Sequence, residues 1–289
     1  MADNRPIGVF DSGIGGLTVL REIMALLPNE STVYFGDDGR TPYGNKSHNT
    51  IVKYCLQIMK FLEAQDVKMI VIACNTASTH AYKILKQYAK VPVIEVVYPG
   101  ADAAVKATRN GKIGIIATPS TTSSGLYETA VREKALDLIN KGINEEALNN
   151  LSIIGQACPM FVPLAENGWW DNEVTEATVR RYLKPVKEFG VDTLVLGCTH
   201  YPLLKDAIQR EMGDEVTLIN SGISVASVVR DRLINDGIQC DSTVDGTHVF
   251  YTSDDEQLFE NVAAPFLGKG LPKGTRKVTV DGYDVSSMM

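Results

Sequence analysis

The chain has little with which to cross a membrane, bind nucleic acid or hold a metal. No apolar run among its 289 residues approaches the roughly 20 that a membrane span needs. The opening Met1-Ala2-Asp3-Asn4-Arg5-Pro6 lacks the basic start and apolar core of a secretory signal. Acidic residues outnumber basic ones by 35 to 28, for a formal charge of −7. No stripe of Lys and Arg is visible of the kind that phosphate contacts require. The five cysteines (Cys55, Cys74, Cys158, Cys198, Cys240) form no CxxC pair and have no His at ligand spacing. Their odd number also disfavours a disulfide framework. These absences predict a cytoplasmic protein with reduced thiols, no metal, no nucleic-acid partner and no membrane partner. Its length allows two domains of ordinary size, and 44% hydrophobic with 22% charged residues suits a soluble globular enzyme.

What is present is a duplication. Val67-Lys68-Met69-Ile70-Val71-Ile72-Ala73-Cys74 is matched by Val191-Asp192-Thr193-Leu194-Val195-Leu196-Gly197-Cys198. Each run is short and rich in β-branched residues and breaks straight after the cysteine, which predicts a fully buried strand. Three further pairs recur in the same order: residues 7–11 with 113–117, 33–37 with 152–156, and 91–95 with 216–220. The spacing between partners grows smoothly, most of it across Arg132 to Asn150, read as a polar helical insertion. The chain is two copies of one α/β unit.

Between the strands, Leu17, Leu20, Met24 and Leu27 recur at helical spacing before Pro28, as do Ile51, Tyr54, Ile58 and Leu62. Alternating strands and helices predict a parallel sheet with helices on both faces. The expected fold is α/β: two similar doubly wound parallel-sheet domains related by pseudo-twofold symmetry, with the active site in the cleft between them. Ligands in such sheets bind beyond the carboxyl ends of the strands. Asp11, Asp37, Cys74, Cys198 and the segment Ala117 to Ser120 all fall there.

Asp11-Ser12-Gly13-Ile14-Gly15-Gly16 follows the first strand, and its glycines let backbone N–H groups approach an anion. A dinucleotide fingerprint, with Asp37 or Asp38 as the ribose acid, is the weaker reading because Thr18 stands where the third glycine belongs. A tight turn capped by Asp11 is the plain alternative. Thr41-Pro42-Tyr43-Gly44 is by itself a turn, raised in interest by its place after the second strand. Buried free cysteines are usually inert, which is the reading for Cys55, Cys158 and Cys240. Cys74 and Cys198 differ, because each meets polar capping residues, Asn75-Thr76 or Thr199-His200. His48, His80 and His248 have no such partner and read as surface or satisfied histidines. Glu166 reads as a solvated loop carboxylate.

Two thiols in equivalent places suit a racemase. One removes a proton from one face of a carbon, the other returns one to the opposite face, and their roles exchange at each turnover. A helix N-terminus or His200 would bring the thiolate within reach of neutral pH from a thiol's ordinary value of about 8.5. Backbone N–H groups at Asn75-Thr76 and Thr199-His200 would steady the substrate carboxylate. No cofactor motif is visible.

These motifs have a counterpart. Phe10-Asp11-Ser12-Gly13-x-Gly15-Gly16-Leu17, Pro42-Tyr43-Gly44, Ala73-Cys74-Asn75-Thr76-Ala77-Ser78 and Leu196-Gly197-Cys198-Thr199-His200-Tyr201-Pro202 together resemble the glutamate racemases, over about residues 7–265. The resemblance implies interconversion of L- and D-glutamate without cofactor or metal, supplying D-glutamate for peptidoglycan. It makes Cys74 and Cys198 the acid/base pair, with Asp11 and His200 assisting them. It places Asp11, Ser12, Tyr43, Gly44, Asn75, Thr76, Thr199, His200 and Glu166 on the substrate, with Glu166 near the second thiol. It also implies that residues 1–98 with 208–289 form the first domain and 99–207 the second, although duplication alone assigns 216–220 to the second. Aspartate racemases carry a similar cysteine pair, but His200, in place of the Glu usual there, and the Asp-Ser-Gly motif favour glutamate. A non-catalytic amino-acid sensor is the reading from another class. Two features depart from the family: Asp38-Gly39-Arg40-Thr41 differs from its Thr/Asn-Ala-Arg pattern, and a tail after about Gly268, with Lys269, Lys273, Arg276 and Lys277, is expected to be a solvated end. The sequence leaves the oligomeric state open, a homodimer among the alternatives.

Overall fold

Each apolar run becomes a strand, and every strand pairing among the described residues is parallel. The structure is a computed structural model describing residues 2–268 and 274–289. The chain divides into two units, Met1–Val96 with Val225–Met289, and Val97–Ser224. The first holds a six-stranded sheet of β1 (Ile7–Asp11), β2 (Thr32–Gly36), β3 (Met69–Ile72), β4 (Val93–Glu95), β9 (His248–Thr252) and β10 (Arg276–Lys277), in the order β10-β9-β2-β1-β3-β4. The second holds β5 (Lys112–Ala117), β6 (Ser152–Ala157), β7 (Thr193–Gly197) and β8 (Thr217–Asn220), in the order β6-β5-β7-β8. That order repeats β2-β1-β3-β4, so the duplication read from sequence is a duplication of topology.

The register repeats as well. Ile7 lies opposite Met69 and Phe10 opposite Ile72, while Ile113 lies opposite Thr193 and Ile116 opposite Leu196. One pair read from sequence is displaced by two residues. Ile7 pairs with Thr32 and Ile113 with Ile153, so residue 33 corresponds to 154 rather than 152. A slip of two keeps every side chain on its own face, and for that reason the apolar pattern did not expose it. The corrected register makes Cys158 the counterpart of Asp37, and both donate their backbone N–H to the end of the neighbouring strand, at Ala117 O and Asp11 O.

The return to the first unit also differs from the family-based expectation. β8 pairs with β7 along residues 193–196 and 217–220, so it belongs to the second unit, and the chain returns at Val225 rather than near residue 208. Backbone pairing decides this: an apolar strand that completes the second sheet cannot also serve the first. Both expected helices form, at Leu17–Leu26 and His48–Ala64. The polar insertion folds as Leu126–Ile139 and Glu145–Asn149. Among the described residues, no helix is long and apolar enough to cross a membrane.

The tail is not a solvated end. Lys269 and Lys273 lie outside the described residues, but Arg276 and Lys277 form β10 against β9. Val280 and Val285 are buried in the core that also holds Phe10, Tyr43, Cys55 and Cys74.

The returning segment is fastened by a buried charge pair. Lys68 Nζ, fully buried, lies 2.6 Å from Glu30 Oε2 as an ion pair and donates hydrogen bonds to the carbonyls of Asp3 and Ile238. Glu30 Oε1 accepts the N–H of Cys240 at 2.8 Å. Removing one member leaves the other charge uncompensated in the interior. Glu30→Ala is therefore expected to lower the unfolding free energy by about 3 kcal/mol in urea titration, and more than Lys106→Ala, whose ion pair with Asp102 is exposed.

Candidate active site

In the first unit, β1 ends at the fully buried Asp11 and hands the chain to a glycine turn before the helix Leu17–Leu26. Asp11 Oδ2 accepts the Gly13 N–H at 3.1 Å, and the Tyr34 hydroxyl donates to Gly13 O at 2.7 Å. The turn thus carries the capping Asp of the plain reading. Gly16 cannot be replaced cheaply, because a Cβ there would lie 2.4 Å from that of Asp11. β3 stops two residues before Cys74, whose sulfur caps the helix Asn75–Tyr88 by accepting the Ala77 N–H at 3.3 Å. The Cys74 thiol donates to Ser12 Oγ at 3.5 Å. Burial, reinforced by the Asp11 carboxylate, pushes this thiol up to about 12. A helix N-terminus was expected to favour the thiolate; desolvation outweighs it, and Cys74 rests as the thiol.

In the second unit, β7 stops one residue before Cys198, which is 7% exposed. A short 3-10 turn, Tyr201–Leu204, intervenes before the helix Lys205–Met212, so Thr199 and His200 precede a turn rather than an α-helix. His200 Nδ1 lies 3.9 Å from the Cys198 sulfur and 3.4 Å from Thr199 Oγ1, and its Nε2 lies 2.9 Å from Glu166 Oε1. Burial opposes a charged ring, but the hydrogen bonds to Cys198 and Glu166 more than offset it and lift His200 from 6.5 to about 10. Glu166 is therefore no free loop carboxylate. It ends the helix Phe161–Glu166 and anchors the imidazolium. Cys158 is fully buried and Tyr201 donates to its carbonyl at 2.9 Å, as its packing reading requires.

The two thiols thus have neighbours of opposite charge, a carboxylate at Cys74 and a cation at Cys198. Asn75, Thr76 and Thr199 are buried beside them. Thr41-Pro42-Tyr43-Gly44 does follow β2, but the Tyr43 side chain turns inward: it is 1% exposed and its hydroxyl donates to Asp37 Oδ2. Asp37 also accepts from Arg40 and Ser253, which leaves it unfit as a ribose acid. Sequence reasoning missed Arg40, whose signal was a lone basic residue between two acids and the 41–44 turn. At Gly39, where the family pattern has Ala, a Cβ would lie 3.0 Å from Ser253 O, a tight contact that the neighbouring backbone would have to relieve. His48 and His80 meet each other, Nδ1 to Nδ1 at 3.1 Å, and His248 meets Thr32 Oγ1 at 2.9 Å, so all three have partners away from the thiols. Among the described residues, no group of three or more His, Cys, Asp or Glu side chains could hold a metal ion.

Residues 7–227, spanning both cysteine-ended strands, match the model of the Asp/Glu/hydantoin racemases. The chain belongs to that family. A protein named glutamate racemase from Geobacter metallireducens is 46% identical over 264 residues, covering 91% of this chain and 93% of its own length. One from Neisseria meningitidis is 45% identical over 266 residues, 92% and 93% of the two chains. The crystal structure of glutamate racemase from Francisella tularensis, in complex with D-glutamate, superposes with a TM-score of 0.86 at 35% identity, covering 97% of this chain and all of that one. An aspartate racemase from Picrophilus torridus shares the fold at 17% identity and a TM-score of 0.56.

His200 gives a pH test. Its folded value is raised, so its stabilising contribution is complete below the ordinary 6.5 and is lost as pH climbs through about 10. Between those limits, stability should fall with rising pH more steeply in the native chain than in His200→Gln, as read by urea unfolding at a series of pH values. Glu166→Gln should shift the titration of the His200 ring nitrogens, followed by NMR, to lower pH.

Proposed function

We propose that this chain racemises glutamate by a two-base mechanism that needs no cofactor, and that it supplies D-glutamate for peptidoglycan from the cytoplasm. The observation that carries the reading is the pair of buried cysteines at equivalent ends of β3 and β7, each with its own charged helper. The glutamate racemases at 45–46% identity and the D-glutamate complex of the Francisella enzyme support glutamate as the substrate.

The chemistry follows from the charges beside the two sulfurs. Cys74 holds its proton and serves as the acid. The Cys198 sulfur has an imidazolium beside it, the charge that a thiolate base calls for. In one direction Cys198 takes the Cα proton and Cys74 delivers its own to the other face. The enzyme then holds a thiol at Cys198 and a thiolate at Cys74, primed for the reverse direction. In this scheme Asp11 receives or returns the Cys74 proton or steers the substrate ammonium, and His200 with Glu166 serves Cys198. Ser12, Tyr43, Gly44, Asn75, Thr76, Thr199 and His200 are the substrate contacts in this scheme, with the Tyr43 contribution coming from its backbone.

Racemisation in deuterated water tests the reading: glutamate should gain Cα deuterium, and an amino-acid sensor would give none. Cys74→Ala and Cys198→Ala should each lower kcat by at least about 10³-fold, within the range of a lost general acid or base. Cys55→Ala, Cys158→Ala and Cys240→Ala should keep substantial activity.

The helpers make a finer prediction. His200→Asn and Asp11→Asn should slow the two directions unequally and with opposite bias. This is visible in the separate kcat values, because equilibrium fixes the ratio of kcat/KM. Equal slowing in both directions by both variants would refute the division of labour.

A further inference from the structure

Arg40 stands where the C-terminal tail meets the 41–44 loop. Its side chain is 12% exposed. Nε lies 2.9 Å from both carboxylate oxygens of Asp37, and Nη1 donates to Gln57 Oε1 at 2.7 Å and to Asp281 Oδ1 at 2.9 Å. The guanidinium carbon sits 4.1 Å above the Tyr54 ring. Asp37 is fully buried, and its carboxylate accepts the Tyr43 hydroxyl and that of Ser253. The contacts therefore run in series from Asp281 to Arg40, to Asp37 and to Tyr43, the first residue of the turn Tyr43–Asn45.

The tail end of this series is itself fixed. Gln57 Nε2 donates to the carbonyls of Asp281 and Tyr283, Val278 N–H donates to Thr252 O at 2.9 Å, and Val280 and Val285 are buried. An isolated exposed ion pair would contribute little, and Asp281 is 68% exposed. The geometry here is different, because a planar fork addresses three partners at once, Asp37, Gln57 and Asp281, and holds each in a set direction. The buried Asp37 charge depends on it.

We propose that residues 276–289 form a strap that positions the 41–44 loop for substrate, with Arg40 as the positioning residue through which the strap acts. The role of that loop rests on the racemase reading above; the mechanical link does not. Lysine at position 40 would keep the charge and lose the fork. Arg40→Lys should therefore raise KM for glutamate about tenfold in both directions, equivalent to about 1.4 kcal/mol, with kcat changed by less than about threefold. Asp281→Lys sets a like charge against Arg40 from an exposed position that should not prevent folding, and should raise KM about threefold. Both effects are small beside the hundredfold that a misplaced contact can cost.

The test measures KM and kcat together with amide hydrogen exchange for the native chain, Arg40→Lys and Asp281→Lys. Amides of residues 38–46 should exchange faster in both variants, while those of the helix Asn75–Tyr88 keep their protection. A lowered melting temperature with unchanged KM would mean mere stabilisation and would overturn the strap. Unchanged exchange at 38–46 would overturn it whatever happens to KM. If the native chain does not racemise glutamate, the functional reading fails, and the exchange measurement still decides the strap.

Discussion

A buried sulfur can work as a base only where a fixed charge stands in for the water it has lost. Everything else at the two cysteines follows from how each meets that requirement. At Cys74 the nearby charge is a carboxylate and the surroundings are a dry core, so both influences keep the proton on sulfur. At Cys198 a cation is provided, and it stays a cation despite burial because Cys198 and Glu166 hold its two nitrogens. The two sulfurs therefore sit in unlike electrostatic surroundings, a carboxylate beside one and an imidazolium beside the other.

The parallel sheet explains why the sulfurs occupy equivalent places. Parallel strands are joined by crossovers, so all the connections at one edge leave from carboxyl ends. In both units the central strand, β1 or β5, is flanked by the cysteine-bearing strand in the same register. The sulfur therefore falls at the same height above each sheet. The glycine turn after β1 fits because Gly16 lets the helix approach Asp11 within a distance no side chain would allow.

The units differ in what was added to the shared design. The first extends its sheet with β9 and β10, and the added segments supply Ser253, Asp281 and the buried valines that surround the loop after β2. The second instead inserts helices between β5 and β6. The loop after β2 is thus braced by chain far away in sequence. Asp37 is the clearest sign of this: a fully buried carboxylate is tolerable only with a guanidinium and two hydroxyls around it.

The sequence by itself determined the two copies, the parallel strands, the ends on which Asp11, Cys74, Cys198 and His200 stand, and the family they resemble. These were legible because burial writes itself into short apolar runs, and because glycine, cysteine and capping residues sit at fixed offsets from them. It could not reveal the two-residue slip at β6, since the side-chain pattern of a strand repeats every second residue. The assignment of β8, the burial of the tail and the bracing of Asp37 by Arg40 were decided by tertiary structure alone. Each depends on which distant backbone or charge comes to lie alongside. The protonation state of Cys74 was decided there too: a thiol beside a helix start reads as a ready thiolate in sequence, and only the depth of its burial and the sign of its nearest charge reverse that.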